Sequence, residues 1–62
     1  MATFFVLFRC RITGDEQPEI VMNQNWVSCW TQASELASTM NEAAKKANVK
    51  HDYYIAQFSR VE

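Results

Sequence analysis

Thr3-Phe4-Phe5-Val6-Leu7-Phe8-Arg9-Cys10-Arg11-Ile12-Thr13 is the stretch on which the fold turns. Its even positions, Phe4, Val6, Phe8, Cys10 and Ile12, are all apolar, while the odd positions read Thr3, Phe5, Leu7, Arg9 and Arg11. A period of two in aromatic and β-branched residues predicts a strand whose even-numbered side is buried. The longest apolar run, Phe4 to Phe8, lies inside it and is far too short to cross a bilayer. Arg9 closes that run and no basic segment precedes it, so it does not read as a secretory signal.

Next comes Gly14-Asp15-Glu16-Gln17-Pro18, which holds the only glycine and the only proline and predicts a loop. Glu19 to about Trp30 then predicts a second, less regular strand. Pairing Thr13 with Glu19 sets Ile12 against Ile20, Cys10 against Met22, Phe8 against Gln24 and Val6 against Trp26, which keeps apolar residues on one side. That register places Val27 on the opposite side, with Phe5. It also sends Cys10 and Cys29 to opposite faces, too far apart for a disulfide.

From Thr31 the period changes. Ala33, Leu36, Ala37, Met40, Ala44 and Ala47 fall on one stripe of a helix, with Thr31 as its N-cap. Lys45 and Lys46 suit its last turn, and Asn48 suits a left-handed cap. His51 to Val61 predicts a third strand, partly apolar on both sides. The expected fold is a single α+β domain over residues 1–62: a ββαβ chain, a three-stranded antiparallel sheet of order 2-1-3, and one helix packed on one face. The other face has no element to cover it.

Size and charge narrow the function. A chain of 62 residues, 48% hydrophobic and 21% charged, has the composition of a globular domain. At about 60 residues it buries only about 60% of its unfolded surface, so a partner subunit or ligand is a natural source of extra stability. A net charge of −1 gives no field for nucleic acid. Two cysteines and one histidine do not complete a tetrahedral zinc site, and no cofactor or metal is expected. Unpaired thiols fit a reducing, cytoplasmic setting.

Catalysis is not expected. No glycine-rich phosphate loop or motif-placed nucleophile and base occurs, and so short a chain has little room for a concave pocket. His51 and Asp52, as neighbours in a strand, would point to opposite faces, and Cys10 reads as a small buried hydrophobe. Trp26 is expected in the core, with Trp30 partly exposed and in contact. The bare sheet face is therefore the candidate site, with Phe5, Leu7, Arg9, Arg11, Trp30 and Tyr53 as partner-binding residues.

The ββαβ order, with an alanine-rich helix and a closing tyrosine-bearing strand, resembles small bacteriophage accessory proteins, among them inhibitors of host RNA polymerase and of host defence systems. The resemblance spans the whole chain as architecture and carries over no functional residue. It implies a compact, non-catalytic inhibitor or modulator that occupies a surface on a larger host protein in the host cytoplasm. Two alternatives come from other classes. One is a homo-oligomer that binds a small anionic ligand or nucleotide between subunits through Arg9 and Arg11. The other is a single-stranded nucleic-acid binder, with Phe5 and Tyr53 as stacking surfaces.

Overall fold

The computed structural model describes residues 1–62. The elements run β1 (Ala2–Cys10), β2 (Glu16–Asn23), α1 (Trp26–Lys46) and β3 (Tyr53–Arg60). The three strands form one antiparallel sheet of order β2-β1-β3, with β1 central and α1 across one face. This is the expected ββαβ topology.

Alternation in β1 does what its sequence requires: Phe4, Val6, Phe8 and Cys10 are all buried. The strand stops earlier than the alternation suggests. Gly14, at φ +80, lets the chain turn back: its N–H donates to Cys10 C=O at 2.9 Å, and Cys10 N–H donates to Asp15 C=O at 2.8 Å. Ile12 therefore lies in the turn, 59% exposed, rather than under the helix.

The early turn resets the hairpin. Phe4 faces Val21, Phe5 faces Ile20 and Leu7 faces Pro18, instead of Val6 facing Trp26. The offset from the expected register is odd, so the sides of β2 exchange. Val21 goes under the helix, 1% exposed, while Ile20 and Met22 emerge on the open side. Pro18 sits within β2 rather than in a loop, which is tolerated because β2 is an edge strand.

The helix begins well before Thr31. Asn25 is the N-cap, and its side-chain oxygen accepts from Ser28 N–H at 2.9 Å. Cys29 lies four residues before Ala33 and extends the apolar stripe backward, so both tryptophans are helical. Trp26 is not core; it is 59% exposed. At the other end Asn48 adopts φ 58, and Val49 N–H returns to Ala44 C=O at 2.9 Å, as its sequence predicts.

β3 solves the problem of its two apolar sides with a bulge. Leu7 faces Gln57 while Phe8 faces Ile55, leaving Ala56 without a partner. The extra residue turns Tyr53, Ile55 and Phe58 all toward the helix, although 55 and 58 are an odd number apart. Phe58 stacks on Phe4 at 4.2 Å between centroids and meets Trp30 edge-on at 5.1 Å.

The core joins Ala2, Phe4, Val6, Phe8 and Val21 of the sheet to Cys29, Ala33 and Ala37 of the helix. Small residues on the helix let it approach the sheet closely, so the sheet supplies the bulk. Burying Phe8, Val6 and Val21 completely contributes about 1.5–3 kcal/mol each.

Both sheet margins are modified. Asn41 of α1 accepts from Tyr53 N–H at 2.7 Å and donates to Tyr53 C=O at 3.2 Å. One carboxamide thus satisfies both backbone groups of Tyr53. On the other margin, Pro18 has no N–H to offer.

Candidate functional site

The face of the sheet opposite α1 is assembled from alternate residues of all three strands. Phe5, Leu7, Pro18, Ile20 and Met22 form its apolar surface, joined by Tyr54 at one end. Ile20 is 61% and Met22 59% exposed, and Phe5 and Leu7 are half-buried. No segment of this chain crosses it. Ser59 and Gln57 make the β3 side polar.

Charge is confined to one end. Arg9 donates from Nε at 3.0 Å and from Nη2 at 2.7 Å to one carboxylate oxygen of Glu16, its cross-strand neighbour. That hydrogen bond is the main cause raising the Arg9 guanidinium above its usual range, with Tyr54 adding to it. Arg11 lies over the Tyr54 ring at 4.2 Å and pairs with Asp52 at 3.5 Å. Both pairs are exposed and contribute little stability, but they hold the guanidinium groups at the rim.

Of the six residues expected at this site, Phe5, Leu7 and Arg9 share the open face, and Arg11 sits at its edge. Trp30 and Tyr53 do not. Trp30 is on the helix, 45% exposed against Phe58, because the chain becomes helical at Trp26. Tyr53 faces the helix layer because the bulge reverses the first part of β3. Tyr54 takes the place expected of Tyr53. Ile20 and Met22, not Val27, supply the second strand's contribution. They were missed because their side depends on an odd or even register.

A second constellation lies at the same end of β1, on the covered side. Cys10 is 1% exposed, and its Sγ is 3.4 Å from His51 Nδ1. Asp52 N–H also donates to that sulfur at 3.4 Å. The His51 ring stacks on Tyr53 at 5.3 Å between centroids. Burial pushes the Cys10 thiol up, but hydrogen bonds from Thr13, from the Asp52 backbone and from His51 outweigh it and bring the thiol down to about 6.

His51 and Asp52 thus act on one atom, contrary to the expectation that they would not cooperate. They precede β3 rather than alternate within it, and Asp52 uses its backbone, not its carboxylate. Cys10 is buried as expected but is not merely a hydrophobe.

The second thiol is arranged differently. Cys29 is fully buried, and its Sγ donates to Ala2 C=O at 3.4 Å. Both cysteines are unpaired. They lie in the same layer, not on opposite sides as expected, because Cys29 belongs to the helix stripe.

No group of three or more His, Cys, Asp or Glu side chains converges as a metal site. No helix is long and apolar enough to cross a membrane. Comparison with protein-family models, with curated proteins and with solved structures found no match to this chain.

Proposed function

We propose that this protein is a non-enzymatic binding module that docks its open sheet face against a larger protein. The carrying observation is the continuous apolar surface of Phe5, Leu7, Pro18, Ile20 and Met22, left bare by an α1 that covers only the other side. Three strands about 4.8 Å apart and eight residues of about 3.3 Å each give a flat footprint of roughly 400 Å². A standard interface buries about 800 Å² of accessible surface per partner, and obligate dimers need more. The face and its rim suit a modest interface with a folded partner better than a permanent homodimer.

Backbone addition at an edge is the less favoured route, since Asn41 occupies Tyr53 and Pro18 interrupts β2. The anionic-ligand alternative is also weakened, because Arg9 and Arg11 already have Glu16 and Asp52 as partners. Inhibition of a host protein, as the phage resemblance implies, is one outcome such docking would have.

The test compares three tagged forms: the natural sequence, Leu7→Asp with Ile20→Asp, and Glu35→Lys with Glu42→Lys on the helix. Circular dichroism verifies that each is folded, and light scattering gives its mass. The expected result is one partner retained by the first and third forms and lost by the second. Retention by the folded Leu7→Asp, Ile20→Asp form overturns the face assignment. A dimer that the same two changes dissolve, with no other partner, replaces it with self-association.

A further inference from the structure

Cys10 and Cys29 are both enclosed, but by different parts of the molecule. Cys29 lies between helix and sheet and donates to a backbone carbonyl. Cys10 sits where β1 ends, and the groups that address its sulfur come from the turn and from the loop before β3. Turns and loops open locally at lower free energy than packed strands and helices. His51, half-buried, also lines a groove of about 450 Å³ with Ile12, Lys45, Asn48, Val49 and Lys50. The residue whose ring touches the thiol is therefore also a lining residue of a lysine-bearing groove.

We propose that Cys10 is a modification site, whose sulfur exchanges with an anionic low-molecular-weight disulfide entering through this groove when the His51 loop opens. The Cys10 proton passes to His51, and the sulfur attacks one sulfur of the incoming disulfide. A new S–S bond forms as the incoming S–S bond breaks. Cys10 is oxidised to a mixed disulfide, and the departing half is reduced and takes the proton from His51 as a free thiol. Lys45 and Lys50 offer the positive charge that attracts carboxylate arms.

The lowered thiol range supports this chemistry, since the thiolate is the nucleophile. The ionisable groups around the site are His51, Tyr53, the Arg11–Asp52 pair, Lys45 and Lys50. Of these, His51 holds the sulfur directly through a titratable side chain.

Glutathione disulfide is the probe, with cationic cystamine as its comparison, and peptide mass mapping locates the adduct on the folded natural protein. One adduct on Cys10 is expected, with Cys29 unmodified and a rate profile whose midpoint lies near 6. Lys45→Gln with Lys50→Gln should lower the glutathione-disulfide rate about tenfold relative to cystamine. His51→Phe keeps a ring against Tyr53 but removes one of the groups that lower the thiol, after Thr13 and the Asp52 backbone, and should move the midpoint up. An adduct on both cysteines in step with unfolding overturns the proposal, as does no adduct or an ordinary midpoint in the natural protein. An unchanged rate ratio in the lysine variant overturns entry through the groove.

Discussion

The two faces of the sheet are built from the same strands and differ in almost every physical respect. Under the helix, Phe4, Val6, Phe8 and Val21 are sealed against alanines and Cys29. On the other side, Phe5, Leu7, Ile20 and Met22 have comparable bulk and nothing over them. Apolar character alone therefore does not say which side is core. What decides is where α1 lies and which residues of β2 face it. The covered face accounts for the fold, and the open face is free to serve something else.

The largest expected effect separates the two faces directly. Phe8→Ala, at a position with no exposure, should cost about 3–5 kcal/mol. A domain this small sits near the bottom of the usual range of about 5–15 kcal/mol, so most of its stability would go. Urea denaturation followed by circular dichroism measures this. A shift no larger than that of an open-face variant would remove the distinction between the faces.

Ile20→Ser is the matching change on the open side and should alter stability by no more than about 0.5 kcal/mol. The same urea titration checks it. A loss as large as that from Phe8→Ala would mean that the open face carries the fold as well.

A further expected effect lies at the margin of the covered layer and depends on pH. Cys10 titrates near 6 when folded and in the ordinary thiol range when unfolded. Between those values the unfolded chain binds more protons, so stability rises with pH. The contribution is fully present above the unfolded value and is lost as pH falls through about 6. Unfolding titrations across this window should show the slope in the natural protein and not in Cys10→Ser. Equal slopes would mean that Thr13, the Asp52 backbone and His51 do not hold the sulfur as a thiolate.

Much of the fold was legible from β1 alone, because five apolar residues at even positions leave only one assignment for that strand. The helix stripe from Ala33 to Ala44 was equally plain. What the pattern hid were boundaries, and boundaries controlled the site. Trp26 and Val27 look like strand residues by type, yet Asn25 caps a helix just ahead of them. Pro18 looks like a turn residue, yet Gly14 turns the chain first. Each error is a few residues long, but an odd offset in a strand exchanges its faces and puts Ile20 and Met22 on the open side, while the early helix start takes Val27 out of the sheet. The Cys10–His51 contact was hidden for another reason: it joins residues 41 apart in sequence, and no local spacing encodes it.

The Asn41 carboxamide, holding Tyr53 at both backbone groups, sets a limit on how copies of this protein can adhere. Growth along a sheet is open-ended, since every added strand presents another, whereas flat sides pressed together are consumed once two have met. With one margin blocked at Tyr53 and the other interrupted by proline, crowding favours a finite sandwich over an endless fibre.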